Sequence, residues 1–254
     1  MRADQALVAR GLAPSRSAAR RLIDDGAAWL VAGASRTKVP RASHEVRDGD
    51  VLEVSDSVEN RYVSRAGSKL AGALAHTGLV CDGLVALDVG QSTGGFTDCL
   101  LQAGIARVVG VDVGHGQLAA ALRDDARVTA LEGVNARGLS AADLGDAMPA
   151  GGFDLIVADV SFISLTKVLP AALSLAAPRA RLLSLVKPQF ELGPDALDGR
   201  GVVRDPSQYR SVQAEVARCV GSLGWRVLDF FPSGLPGGDG NREFFVFAQR
   251  EHPT

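Results

Sequence analysis

After residue 80 the chain alternates short apolar runs with stretches of helical periodicity. The runs are Leu84–Asp88, Arg107–Val111, Val128–Leu131, Phe153–Asp159, Arg181–Lys187, Trp225–Phe231 and Glu243–Gln249. Continuous rather than alternating apolarity predicts strands buried on both faces, hence a largely parallel α/β sheet covered by helices. Only a Gly/Pro-rich loop separates the last two runs, which predicts an antiparallel hairpin at one edge. A helix over Ala66 to about Thr77 leads into the first of these strands.

The first ~60 residues read as a separate module. Ala6, Leu7 and Leu12 mark a short amphipathic helix stopped by Gly11. Ser15 is a candidate cap for a second helix, Arg16–Asp25, with Ala18, Ala19, Leu22 and Ile23 as its apolar face and Gly26 as its stop. Short strands are expected at Ala28–Val31, Glu45–Val46 and Val51–Val54, the last after the turn Asp48-Gly49-Asp50. The expected organisation is a small domain over 1–58, a polar linker over 59–64 and a large domain over 65–254.

Charge changes this picture locally. The net charge of the 254 residues is only −2, but Met1–Ser43 carries eight basic side chains against three acidic ones. Clustered basicity is what a phosphate backbone responds to. The three cysteines contain no C-x-x-C pair and read as reduced thiols, so neither disulfides nor a metal is expected. No leader-like apolar core opens the chain, and the run around Val168–Ala177 is interrupted by Pro170 and too short to span a bilayer. A cytoplasmic protein without a membrane partner is expected.

The strongest motif runs from Asp88 to Thr97, DVGQSTGGFT. An apolar strand enters a glycine-rich turn that opens a helix, where backbone can approach a ligand closely. Its glycine spacing does not fit the dinucleotide fingerprint G-x-G-x-x-G. An acidic residue, Asp112, ends the next strand and can accept two hydrogen bonds from a ribose diol. Further ionisable groups sit on the helix before the sheet (Lys69), at strand ends (Asp159, Lys187) and at the start of the last strand (Glu243). Strand carboxyl ends in open α/β sheets share one ligand crevice, so Asp159 and Lys187 are expected beside the glycine-rich loop. A lysine closing an apolar strand is partly desolvated, a setting in which its amine can accept a proton or orient a hydroxyl.

Two resemblances add to this reading. The segment RADQALVARGL…SRSAARRLIDDGAAWLVAG…VRDGDVLEV resembles the S-four RNA-binding module, with Val31-Ala32-Gly33 where that module usually has Val-Asn-Gly. The resemblance implies RNA contacts by Arg2, Arg10, Arg16, Arg20, Arg21, Arg36 and Lys38, and Arg65 is added on the large domain. Nearly the whole chain resembles the TlyA family, whose catalytic half is similar to the FtsJ/RrmJ ribose 2′-O-methyltransferases. The carrying motifs are SRAGSKL, DVGQSTGGFTD, VDVGHGQL, ADVSFISL, LVKPQFE, GVVRD and GNREF. This implies a Rossmann-like class I methyltransferase sheet of seven strands, the last antiparallel, preceded by a small α+β RNA-binding domain. It implies S-adenosylmethionine as cofactor, held by Asp88, Gly90, Gln91, Ser92, Thr93, Gly94, Gly95, Phe96, Asp112 and, near the adenine, Asn135. Gln91 stands where the family usually has a small residue and is expected beside the methionine tail. The family's catalytic Lys-Asp-Lys-Glu set falls on Lys69, Asp159, Lys187 and Glu243, with ribosomal RNA or a ribosomal subunit as partner and a cytidine as target. Family members often carry a haemolysin name, so the competing expectations are a membrane-active protein and an RNA-binding protein without catalysis.

Overall fold

The computed structural model describes residues 1–13, 16–24, 26–33, 35–54 and 61–251. The chain divides into two compact units, Met1–Arg61 and Tyr62–Thr254.

The first unit contains α1 (Ala3–Ala9), α2 (Arg16–Asp24), β1 (Ala28–Ala32), β2 (Ser35–Lys38) and β3 (Val51–Val54). Its sheet is antiparallel in the order β2-β1-β3. Leu7, Ala19, Ile23, Ala28, Val46 and Leu52 form its small core. Gly11 and Gly26 take the left-handed backbone that stops each helix. Two expectations need correction. Glu45–Val46 is no strand: Glu45 makes only an isolated bridge to Arg2. The strand lies instead at Ser35–Lys38, whose four side chains are all exposed, so no apolar signal marks it. Ser15, expected as a cap, and Asp25 lie outside the described residues, as does part of the expected linker.

The second unit runs α3 (Arg65–Thr77), β4 (Val85–Val89), α4 (Gly95–Gln102), β5 (Arg107–Asp112), α5 (Ala120–Arg123), β6 (Val128–Glu132), α6 (Ala141–Leu144), β7 (Phe153–Ala158), α7 (Leu169–Ser174), β8 (Ala176–Val186), α8 (Pro188–Glu191), α9 (Tyr209–Ser222), β9 (Trp225–Pro232) and β10 (Phe244–Arg250). The seven strands order as β6-β5-β4-β7-β8-β10-β9. All neighbours are parallel except β10, which pairs antiparallel with both β8 and β9. Side-chain alternation along each strand feeds two cores. Ile156, Leu182 and Val246 pack with Val212, Val216 and Val220 of α9 on one face. Leu155, Leu183 and Phe245 pack with Leu70 of α3 and Phe96 and Leu100 of α4 on the other. Burial on both faces is why the strands read as apolar runs. The β8 strand starts five positions before the expected Arg181, because Pro178 and Arg179 interrupt its apolar pattern.

Among the described residues, no helix is long and apolar enough to cross a membrane.

Candidate active site

Parallel strands deliver their last residues to one end of the sheet, and β10, running the other way, delivers its first residue there. The loop after β4 is pinned to β5, with Gly90 and Gln91 N–H groups donating to the Val111 carbonyl at 2.9 and 3.2 Å. Asp112, at the end of β5, accepts from Ser92 N at 2.8 Å and from Gly114 N at 2.7 Å. One carboxylate thus shapes two loops and keeps lone pairs for further donors. Gly90 has φ 82°, and a Cβ there would sit 2.6 Å from the Asp159 carbonyl oxygen. Only glycine lets the loop after β4 touch the loop after β7.

Asp88 lies below that turn, fully buried. Its Oδ2 accepts from the Thr97 hydroxyl at 2.7 Å, and its Oδ1 is buried without a protein donor. Burial, helped by the charges of Asp159 and Asp112, pushes its carboxyl up to about 7 against the Thr97 bond that favours ionisation. Gln91 does not reach out of the loop. Its side chain is buried, donates to Thr97 Oγ1 at 2.9 Å and lies over Gly110, where a Cβ would collide with the amide. Its length is spent inside the fold.

Two lysine–carboxylate pairs stand around this loop. Lys69 Nζ, from α3, donates to Glu243 Oε2 at 2.6 Å, with the side chains 9% and 3% exposed. Close approach of α3 to α4 brings Lys69 in: a Cβ on Gly67 would strike Tyr62 and the Gly95 carbonyl. Lys187 Nζ, following β8, pairs with Asp159 Oδ1 at 2.6 Å and donates to Ser161 Oγ at 2.8 Å. Asp159 and Lys187 line a cleft with Gly90, Gln91, Ser92, Thr93, Gly95, Phe96, Ser64, Ala66 and Ser161. Lys69, Glu243, Asp112 and Asn135 are not on that lining. Asn135 is exposed, and its Oδ1 caps the turn at Arg137 N, 3.0 Å away; the neighbouring Val134 N binds the Asp112 carbonyl at 2.9 Å.

Sequence reasoning missed several residues here. Phe162 is 92% exposed, has φ 62° and packs on Phe190 with centroids 5.1 Å apart. Left-handed backbone is costly for a bulky residue, so the surrounding loop must hold Phe162 in place. Asn241, fully buried, accepts from Val203 N at 3.0 Å and donates to Gly201 O and Asp239 Oδ2. It ties the GVVRD segment to the loop that ends at Glu243.

The FtsJ-like methyltransferase profile matches residues 62–250. The chain belongs to the FtsJ-like methyltransferase family. Within that family it is 45% identical over 251 residues to the 16S/23S rRNA (cytidine-2′-O)-methyltransferase TlyA of Mycobacterium tuberculosis, covering 98% of this chain and 90% of that protein. It is 34% identical over 246 residues to Hemolysin A of Brachyspira hyodysenteriae, covering 97% and 98%. A solved Streptococcus thermophilus structure bearing a hemolysin name superposes with a TM-score of 0.76 at 35% identity, covering 100% of this chain and 90% of that one. The expected seven-stranded class I methyltransferase sheet with its last strand antiparallel is the one observed.

In the first unit, a residue counted only as a charge proves central. Asp4 is fully buried and gathers Arg2, Arg16 and Arg20 at 2.9, 3.2 and 3.4 Å. The Arg2 guanidinium above all holds the Asp4 carboxyl well below the usual carboxylate range, against the effect of burial. The three arginines keep roughly half their surface in water. Arg36 and Lys38 flank the Trp29 ring at 5.3 and 5.4 Å, and Arg36 pairs with Glu53 at 3.0 Å. Arg10 donates to the carbonyls of Asp50 and Arg47. The side chain of Arg21 lies outside the described residues. Arg65, in the second unit, reaches the Pro236 carbonyl at 3.5 Å.

Proposed function

We propose that this chain transfers a methyl group from S-adenosylmethionine to a ribose 2′-hydroxyl of ribosomal RNA, at a cytidine. The observation that carries this reading is the Lys187–Asp159 pair on the wall of a cleft that begins at the glycine-rich loop. A hydroxyl acceptor needs a group that takes its proton, and an amine held beside a carboxylate meets that need.

The residues present fit the cofactor. Asp112 offers a carboxylate for the ribose diol, the buried Asp88 Oδ1 lacks a donor, and the loop exposes backbone at the start of α4. Gly90 to Phe96 would hold the methionine end, and Asn135 stands by the strand end where the adenine would lie. When bound, the cofactor supplies an activated sulfonium methyl.

Lys187 receives the proton of the 2′-hydroxyl as the oxygen attacks, and Asp159 stabilises the ammonium that forms. Lys69 and Glu243, paired behind the cleft lining, position the ribose. Phe162 offers its exposed ring to the target base once that base leaves its stack, as a nucleoside must for its sugar to enter a cleft. Most of the acceleration comes from positioning, because the methyl donor is already activated. The Arg2, Arg16 and Arg20 cluster docks the phosphate backbone of structured RNA, with Arg36 and Lys38 beside it.

Incubating the protein with labelled S-adenosylmethionine and ribosomal RNA from cells lacking it, then mapping 2′-O-methyls, tests the proposal. Label in a single ribose is the expected result. Label on a base, or none in RNA, overturns it.

A further inference from the structure

We propose that Ser161 is a positioning residue for the proton transfer, fixing the direction in which Lys187 offers its lone pair. This rests on the reading of Lys187 as the base. Ser161 is outside the Lys-Asp-Lys-Glu set, yet its Oγ accepts from Lys187 Nζ at 2.8 Å while Asp159 pairs with the same nitrogen at 2.6 Å. Both residues line the cleft with Lys187.

A neutral primary amine has two N–H bonds and one lone pair in a tetrahedral arrangement. Asp159 Oδ1 meets this nitrogen as a charge and accepts no hydrogen bond from it, so Asp159 alone would leave the lone pair free to turn. With Ser161 Oγ accepting one N–H and the Asp159 charge drawing the other towards it, the lone pair is left the third direction. When the 2′-hydroxyl loses its proton, the O–H bond breaks and the proton completes the ammonium. Both contacts then become charge-assisted, so they strengthen as the transition state forms.

The loop is built to hold this geometry. Asp159 N donates to the Val89 carbonyl at 3.0 Å. Further along, Glu191 accepts from Ser164 Oγ at 2.6 Å and Leu165 N at 2.7 Å. Between these anchors Phe162 turns left-handed and packs on Phe190. Ser161 itself is exposed and supports no core.

The test compares Ser161→Ala, Ser161→Thr and Lys187→Ala on ribosomal RNA from cells lacking the protein, with cofactor affinity from calorimetry and thermal midpoints alongside. Ser161→Ala is expected to lower kcat about tenfold, the scale of one charge-assisted hydrogen bond, with cofactor Kd and RNA KM within about twofold of wild type. Ser161→Thr, which keeps the hydroxyl, is expected to restore most of kcat. An unchanged kcat in Ser161→Ala, or an equal loss in Ser161→Thr, overturns the role of Ser161. Wild-type turnover by Lys187→Ala overturns the reading beneath it, and the two failures are told apart by which variant stays active.

Discussion

Lys69 and Glu243 stand 174 residues apart in sequence and 2.6 Å apart in space, both shielded from water. Removing one partner of such a pair strands a buried charge, at a cost of about 3–5 kcal/mol, whereas replacing both with apolar groups of similar size is much milder. Thermal and denaturant unfolding of Lys69→Met, Glu243→Leu and the double variant is expected to show two destabilised singles and a double nearer wild type. Methyl transfer should stay lost in all three, which separates the pair's chemistry from its contribution to stability.

Asp112 shapes two loops, and the proposed function gives it the cofactor's ribose as well. Asp112→Ala is expected to weaken S-adenosylmethionine binding at least tenfold, the scale of a lost charged hydrogen bond. Asp112→Asn retains one acceptor oxygen and should fall between the two in a calorimetric titration. Wild-type affinity in Asp112→Ala would move the nucleoside elsewhere.

Asp88 gives the fold a pH dependence of defined sign. Its folded carboxyl titrates near 7, against an ordinary value of 3.8. Between those limits the native state holds a proton that the unfolded chain has released, so stability falls as pH rises from about 4 to about 7, by up to about 4 kcal/mol. Asp88→Asn removes the titration. Denaturant midpoints at pH 5 and pH 8 should therefore lie closer together in Asp88→Asn than in wild type; an equal spread would place the titration on another group.

Phe162 sits on left-handed backbone that costs an ordinary residue about 1–2 kcal/mol and glycine almost nothing. Phe162→Gly is expected to leave the thermal midpoint unchanged or higher while lowering kcat/KM for RNA about tenfold or more. Cofactor affinity should not change, because the proposed function gives the ring to the target base. A fully active Phe162→Gly would reduce Phe162 to a surface accident.

Arg16, held by Asp4, is about half exposed. In filter-binding titrations of ribosomal RNA, Arg16→Ala should lower affinity and reduce the slope of log K against log salt by about 1. Asp4→Asn frees three guanidinium groups at once and should weaken RNA binding although it adds positive charge. Tighter binding by Asp4→Asn would mean that charge alone, without arrangement, governs docking.

The seven strands of the large unit were legible because burial on both faces writes itself as unbroken apolar runs. Asp159, Lys187 and Glu243 were legible as charges at the ends of those runs, whereas Lys69, inside α3, stood out only through the family resemblance. What failed to read was whatever lacks an apolar signature. β2 is an edge strand of four exposed residues. Asp4 looked like one negative charge among many arginines until folding put three of them around it. Gln91 looked like a ligand-facing amide, and only the bare backbone of Gly110 shows where its side chain goes. Ser161 and Phe162 were visible as a motif, but their roles depend on a backbone reversal that no spacing announces.

The antiparallel entry of β10 between β8 and β9 has a temporal meaning. Phe244 pairs with Val186, so Glu243 just before it reaches Lys69 only after that strand has threaded between two others. A ribosome delivers β4 to β9 first, so a nascent chain holds six of the seven strands while still lacking the glutamate that pairs with Lys69. The buried Lys69–Glu243 pair thus closes only with the last insertion, so the strand that finishes the sheet also settles the charge on α3.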